Sequence, residues 1–380
     1  MSRIRSLSSE TISVLRFPLT VGIVFYHYNL AKSGLIVDGV TYGLSHPDWY
    51  DCVIRFFSEA ALDVGMPLFF FFSGFLFFYR KTFTKELYIH QLRTRAKSLL
   101  IPFFLWNLIA ILLPLFLSSL SSSANKLEIH VSLERLFHTF FANFQNEGIL
   151  VSPVNSHSSE VSRNPYPIDV PLWYVRDLMV MALFSPVIFL LIRKFRICFP
   201  VTLGLIWYFY IPLLAPNGGW STQLMIAAFF FSWGAYYSIN KFCFVERFRK
   251  HWYVLFFYIP IAIADTLSNT MDYHLFIHDL TILIGLISFV VVASYLFEIG
   301  WGKVPDTFVN SCFFVYALHT LIIYHIGRVA FRLLQLSDTP SAMLFLYIMT
   351  PILTTVICVA IYMLFKRYAP SLCNMLSGWR

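Results

Sequence analysis

The segment TISVLRFPLTVGIVFYHYNL, residues Thr11 to Leu30, is apolar and long enough to cross a bilayer, yet it carries Arg16 and His27. At about 100° and 1.5 Å per residue, these two side chains lie on nearly the same face of a helix, roughly 16 Å apart along its axis. Because an arginine in lipid costs at least about 2.5 kcal/mol, such residues usually face a protein interior or a watery cavity. The alternative is that Arg16 anchors the inner end of the helix and His27 lies at the outer interface.

The composition indicates a membrane protein. Of 380 residues, 58% are hydrophobic and 13% are charged, whereas soluble domains contain about 25% charged residues. The net charge of +8 does not indicate nucleic-acid binding, because the basic residues form short blocks between apolar segments. The six cysteines include no CxxC pair, so we predict neither a disulfide framework nor a metal site.

Ten apolar segments predict a single all-α, polytopic membrane domain over residues 1–380. The segments lie near residues 12–30, 60–79, 98–118, 171–192, 199–215, 221–239, 252–268, 276–297, 308–331 and 343–365. If both termini are cytoplasmic, 19 of the 28 Lys and Arg residues lie inside and 7 lie in outer loops, as the positive-inside rule requires. The long loop 119–170 then faces outward, and the spacing of Leu133 to Phe144 predicts a helix along the membrane surface.

Several segments resemble the membrane-bound acyltransferase-3 family. Arg16, ten residues and then His27 match the signature of its first membrane helix. Four further segments resemble its motifs in the same order: MPLFFFFSGFLFFYR (Met66 to Arg80), LLIPFFLW (Leu99 to Trp106), PLWYVRDL (Pro171 to Leu178) and FVYALHTLII (Phe314 to Ile323). The resemblance implies an acyl-coenzyme A donor made in the cytoplasm, with acetyl as the expected acyl group, and a glycan or other surface molecule as acceptor.

Three residues are the candidates for catalysis: His27, Arg16 and His319. A histidine titrates near neutral pH and suits a general base that takes the proton of the acceptor hydroxyl. Guanidinium pairs well with phosphate, so Arg16 suits the anionic donor. His319 lies near the middle of the ninth apolar segment and is a second candidate, although a buried packing histidine is the alternative interpretation.

The basic segment QLRTRAKSLLIP is the second candidate for donor binding. The family places an Arg-x-x-Arg pair ahead of Leu-Ile-Pro, and here Arg95 takes the first position while Ser98 takes the second. The donor-binding role therefore carries over only to Arg95, with Arg93 and Lys97 as substitutes. The alternative is that these residues are a topology signal, since any inner loop is basic.

Ser73 and Gly74 interrupt a very aromatic segment. Small residues allow close helix packing, and Ser73 could hydrogen-bond inward toward a substrate. Ser73 as a nucleophile is the other possibility, but no GxSxG elbow surrounds it.

Trp173, Arg176 and Asp177 begin the fourth apolar segment. The resemblance implies that they frame the outer mouth, where Trp173 and Arg176 would contact the acceptor. The alternative for Trp173 is an ordinary tryptophan of the membrane interface. Arg176 and Asp177 are adjacent, so their side chains point about 100° apart and need not pair. Asp63, near the outer end of the second segment, is a candidate to orient His27 and to contact the substrate.

We therefore predict an O-acyltransferase of the bacterial inner membrane that takes acetyl-CoA or another acyl-CoA as co-substrate and uses no metal. Its partners would be the lipid bilayer, a glycan or glycolipid acceptor and a second copy of the chain, but no nucleic acid. A proton-coupled transporter of an anionic solute is the alternative, although the paired broken helices and inverted repeats of transporters are not found. A sensor or scaffold without catalysis is a third possibility.

Overall fold

The computed structural model describes residues 2–44, 46–79, 83–120, 140–141, 166–214, 220–301 and 304–379. Its sixteen α-helices in these ranges are α1 Ser2–Tyr26, α2 Leu30–Ser33, α3 Asp48–Arg55, α4 Gly65–Phe78, α5 Lys85–Arg95, α6 Ile101–Leu120, α7 Trp173–Phe195, α8 Cys198–Leu205, α9 Ile211–Leu214, α10 Trp220–Ile239, α11 Phe244–Arg249, α12 Leu255–Leu267, α13 His274–Glu298, α14 Asp306–Leu333, α15 Pro340–Tyr368 and α16 Pro370–Ser377. Short π-helical stretches occupy Phe56–Ala61, Ala96–Leu100 and Ile206–Tyr210, and 3₁₀ turns occupy Val170–Leu172 and Trp252–Val254.

The described residues contain one small sheet, a hairpin of β1 (Leu35–Val37) and β2 (Val40–Tyr42). The turn residues Asp38 and Gly39 both have positive φ, as a two-residue hairpin turn requires. The predicted all-α class is confirmed, because most of the described chain is helical and its one sheet is a short hairpin.

Every one of the ten predicted apolar segments coincides with a helix. Within the described residues, however, only seven segments are long and apolar enough to cross a bilayer: Leu7–Ser33, Asp48–Phe78, Lys85–Leu113, Val170–Phe195, His274–Glu298, Asp306–Leu333 and Pro340–Tyr368. The apolar helices Cys198–Tyr210 and Trp252–Leu267 are shorter. At about 1.5 Å per residue the first of these is roughly 20 Å long, less than the ~30 Å hydrocarbon core of a bilayer.

Helix α1 lies inside the bundle, in contact with α13, α14 and α15. Its buried residues Ile12, Leu15, Leu19 and Ile23 recur every three or four positions, which is the spacing of one helix face. Other helices therefore cover this face of α1.

Helices α4 and α10 cross with their backbones in contact. A Cβ atom on Gly74 would collide with the backbone carbonyl of Phe231, and a Cβ atom on Gly234 would collide with that of Phe71. Small residues permit this approach between membrane helices. The packing interpretation of the Ser73–Gly74 pair therefore holds for Gly74.

Candidate active site

His27 and His319 meet in the interior of the bundle. His27 directly follows α1 and continues its hydrogen bonding, because its backbone N–H donates to the carbonyl of Ile23 over 3.1 Å. The centroid of its ring is 5.2 Å from that of His319, which lies in the middle of α14 and is fully buried. The fold thus brings together two candidate catalytic residues that are far apart in the sequence.

The hydrogen bonding of His319 leaves one ring nitrogen available. Nδ1 lies 3.2 Å from the carbonyl oxygen of Val315, and since a carbonyl only accepts, Nδ1 carries the proton in the neutral ring. Nε2 then has a lone pair, and it is buried without a hydrogen-bond partner among the described residues. A buried polar atom in this state is costly unless a ligand or a water satisfies it.

Tyr316 and Tyr174 extend this group toward α4. The hydroxyl of Tyr316, one turn before His319, donates to the backbone carbonyl of Pro171. The ring of Tyr316 also lies 6.2 Å from that of Tyr174, whose hydroxyl is 2.9 Å from the hydroxyl of Ser73. Sequence reasoning did not select either tyrosine, although both lie within the quoted motifs.

The start of α7 therefore lies at the depth of the middle of α14, not at the ends of the helices. Pro171, two residues before Trp173, is held by Tyr316 near His319, and the expectation that Trp173 frames an outer mouth stays a prediction. Trp173 itself packs against Phe70, with ring centroids 5.9 Å apart.

Ser73 lies close to the site, and its hydroxyl contacts a tyrosine; no hydrogen bond joins it to a histidine of the described residues. Its hydroxyl contacts that of Tyr174, which is also 3.2 Å from the carbonyl of Phe69. A tyrosine hydroxyl is too weakly basic to activate a serine near neutral pH. The arrangement favours Ser73 as a residue that holds Tyr174 in place over Ser73 as a nucleophile.

Asp169 is a buried carboxylate that sequence reasoning missed. Its Oδ1 accepts a hydrogen bond from the hydroxyl of Thr320 over 3.0 Å, and its backbone N–H donates to Oδ1 of Asn107 over 3.2 Å. Its Oδ2 is buried without a hydrogen-bond partner in the described part of the chain. Because Thr320 directly follows His319, Asp169 ties the segment before α7 to the histidine helix.

Arg176 and Asp177 form a buried ion pair, with Nε of the arginine 2.8 Å from the carboxylate. Adjacent side chains on a helix need not pair, but these two do, because the long arginine side chain curls back to its neighbour. The same guanidinium also donates to Gln223 and to the carbonyl of Phe141, each over 2.7 Å. These bonds make Arg176 a cross-link between helices and argue against direct contact with the acceptor.

Arg16 lies in α1 and is half buried. Its backbone carbonyl accepts from the hydroxyl of Thr20, but its guanidinium forms no ion pair within the described residues. An arginine that is partly buried and unpaired is suited to an anionic ligand.

Arg95, unlike its neighbours Arg93 and Lys97, is half buried. Its guanidinium carbon lies 6.0 Å from the ring centroid of Phe77, and the residue lines a mostly apolar cavity of about 460 Å³ between α5 and α7. Arg93 and Lys97 are exposed, and the ammonium of Lys97 lies 4.9 Å from the ring centroid of Trp379. Of the three, only Arg95 points into the bundle.

Asp63 does not orient His27. Its Oδ2 is 3.1 Å from Nε2 of His278 instead, a residue that sequence reasoning did not select. In the described ranges, no group of three or more His, Cys, Asp or Glu side chains is arranged to hold a metal ion.

The comparison with known proteins identifies the class. Residues 10–363 match the acyltransferase domain of the acyltransferase-3 family, and the chain belongs to that family. With its long apolar helices, it is an integral membrane acyltransferase.

A particular relative is the succinoglycan biosynthesis protein ExoH of Rhizobium meliloti (strain 1021). The two are 26% identical over 381 residues, which cover 98% of this chain and 92% of that protein. No solved structure matches the chain.

Proposed function

We propose that this protein is an O-acyltransferase of the bacterial inner membrane. It would move an acyl group, acetyl in the simplest case, from cytoplasmic acyl-CoA to a hydroxyl of a cell-surface or exported glycan. Membership of the acyltransferase-3 family supports acyl transfer, and the name of the relative supports a glycan acceptor. The observation that carries the proposal is the meeting of His27 and His319 inside the bundle, 5.2 Å apart by ring centroids.

His27 acts as the general base. It takes the proton of the acceptor hydroxyl while the hydroxyl oxygen forms a bond with the thioester carbon. When this intermediate collapses, the carbon–sulfur bond breaks, and the proton passes from His27 to the departing coenzyme A thiolate. The products are the glycan ester and free coenzyme A, so the cycle leaves no net proton behind.

His319 positions the reacting groups. Its Nδ1 is held by the carbonyl of Val315, so the ring is fixed while Nε2 offers a lone pair. This nitrogen can accept a hydrogen bond from the second ring or from the acceptor hydroxyl. A hydrogen bond from one ring nitrogen of His27 leaves the lone pair on its other nitrogen free to receive the proton.

Arg16 and Arg95 serve the donor. Coenzyme A carries phosphates, for which guanidinium groups are suitable partners. Arg16 lies about 16 Å along α1 from His27, by the rise of eleven helical residues. Arg95 borders an apolar cavity, and the exposed Arg93 and Lys97 add positive charge nearby.

Single-turnover transfer in proteoliposomes tests the proposal. The wild-type protein, given acetyl-CoA labelled in the acetyl group and surface glycan isolated from the host, should transfer the label to the glycan. His27→Ala protein should not. Uptake of a solute without labelling of the glycan would support a transporter, and neither event would support a protein without catalysis.

A further inference from the structure

A polar cavity of about 320 Å³ lies at the end of the bundle where α1 ends. Its wall includes Tyr26, Lys32, Arg55, Glu59 and Asp63. The ring of Tyr26 stands edge-on to that of His27, with centroids 5.2 Å apart. A molecule in this cavity is therefore one side chain away from the proposed base.

A chain of carboxylates and imidazoles supports one wall of the cavity. Nε2 of His278 is 3.1 Å from Asp63, and Nδ1 of the same ring is 3.0 Å from Asp265. The second oxygen of Asp265 lies 3.4 Å from Nδ1 of His274. Asp265 is almost fully buried, whereas the side chain of Asp63 is 27% exposed. His278 thus fixes Asp63 at the cavity surface and leaves part of its carboxylate open.

The other acid of the wall is fixed in a similar way. Oε1 of Glu59 accepts a hydrogen bond from the amide of Asn29 over 2.9 Å. Glu59 belongs to the π-helical stretch Phe56–Ala61, and such stretches are frequent at functional sites. Both carboxylates are therefore held by one partner each and keep acceptor capacity for a ligand.

The charges that line the cavity balance. Lys32 and Arg55 contribute two positive charges, and Glu59 and Asp63 contribute two negative charges. Beneath them, His278 must carry a proton on each nitrogen to donate to two ionised carboxylates, and it then offsets the charge of Asp265. A cavity of this kind gives no net attraction to an anion such as the phosphates of coenzyme A. It does offer many hydrogen-bond donors and acceptors.

We propose that this cavity binds the sugar that carries the acceptor hydroxyl, and that it favours an uncharged sugar. This inference rests on the proposed function and locates its acceptor site. Asp63 and Glu59 accept hydrogen bonds from sugar hydroxyls, Arg55 and Lys32 donate to sugar oxygens, and the ring of Tyr26 provides an apolar face. His278 is a positioning residue, which acts through Asp63.

Steady-state kinetics test the role of Asp63. With acetyl-CoA and host glycan, Asp63→Asn should raise the KM for glycan about tenfold, the loss of one charge-assisted hydrogen bond, and leave the KM for acetyl-CoA unchanged. His278→Gln should have the same effect. The control is Asp38→Asn, the same change in the exposed β1–β2 turn, where the aspartate pairs with Arg332. An unchanged KM for glycan in Asp63→Asn, or an equal rise in Asp38→Asn, would overturn the inference.

Ligand binding without turnover separates this inference from the proposed function. Saturation-transfer NMR on the full protein in nanodiscs would use neutral methyl glycosides of glucose, galactose, mannose and N-acetylglucosamine, with methyl glucuronide and galacturonide as acidic counterparts. At least one neutral glycoside should bind, more strongly than the acidic ones, and Asp63→Asn should abolish the signal.

The outcomes of this experiment are distinct. Absence of signal from every neutral glycoside, or a stronger signal from the acidic ones, overturns the inference. If a neutral glycoside binds in a manner that depends on Asp63, but the protein transfers no acetyl group, the proposed function is overturned while the sugar-binding site is supported.

Discussion

His27 gains its chemical setting from residues that are distant in sequence. His319 comes from α14, and Tyr26, which lines the polar cavity, lies beside His27. If His27 removes the hydroxyl proton, His27→Ala should lower the rate of acyl transfer about 10²- to 10⁴-fold, the usual contribution of general-base catalysis. Acyl-CoA binding should persist, because the donor is held some 16 Å away near Arg16.

The measurements are transfer of labelled acetyl groups and equilibrium binding of acetyl-CoA. His325→Ala is the matched control, because this exposed histidine also belongs to α14. If His27→Ala loses acetyl-CoA binding but the rate of acyl transfer from bound acetyl-CoA changes little, His27 is a donor ligand and not the base.

Arg16 carries the second prediction. Replacement by alanine should weaken acetyl-CoA binding by about tenfold or more, because a charge-assisted contact with phosphate is lost. Arg95→Ala should act in the same direction but more weakly, since Arg93 and Lys97 remain close. The control is Arg193→Ala, an exposed arginine in the last turn of α7. Wild-type binding and turnover in Arg16→Ala would reduce Arg16 to an anchor of the helix.

The sequence identifies the ionisable residues of the site more readily than the residues that contact them in the structure. His27, His319 and Arg16 stand out because ionisable residues are costly in an apolar helix. His278, the partner of Asp63, does not stand out in the sequence. It lies 215 positions further along the chain, and only the packing of α13 brings it near Asp63. The sequence does not distinguish Tyr174 and Tyr316 either, because aromatic residues are common throughout it.

At the scale of elements, the crossing of α4 and α10 allows a sharp test. Gly74→Ala places a methyl group against the carbonyl of Phe231, and the reciprocal contact of Gly234 with Phe71 prevents the helices from sliding apart. We expect a loss of stability of about 1–3 kcal/mol, typical of overpacking, seen as a lower thermal denaturation temperature in detergent.

The matched control for this test is Gly22→Ala in α1. There the added methyl group meets only the side chain of Leu62, at 3.4 Å or more. Equal stability of the two variants would show that the crossing is looser than the structure describes.

Each of the ten apolar stretches coincides with a helix, but the stretches did not locate the hairpin. Its signal is short: Asp38 and Gly39 stand between the β-branched pairs of LIVDGVTY, a pattern typical of a two-residue turn. The helix predicted for Leu133 to Phe144 lies outside the described residues except for Phe140 and Phe141, which are helical. The prediction of that helix stays open.

For the whole molecule, the orientation in the membrane is a prediction from charge. Cysteines introduced at Ser122 and Ser158, in a variant whose six native cysteines are replaced, should react with an impermeant thiol reagent in intact cells. A cysteine beside Thr84 should react only after the cells are opened. The opposite labelling pattern would reverse the orientation and place His27 at the cytoplasmic side.

The number of membrane crossings is harder to predict than the number of helices. Hydropathy reports how apolar a segment is, but a short apolar helix such as Cys198–Tyr210 can also pack on its neighbours without crossing. The length of a helix decides whether it can cross the bilayer. The ends of a helix are set by packing and by capping residues, which hydropathy does not report.

The start of α7 beside Tyr316 has an electrostatic consequence. Every peptide unit of a helix contributes a dipole, and together they place about half a positive charge at the first turn. Because Pro171 is held near His319, this partial charge lies inside the bundle, where little water screens it. It does not titrate, so it persists at any pH. A negative charge that develops on the carbonyl oxygen of the acyl group would be stabilised by this fixed positive field without any rearrangement of the protein.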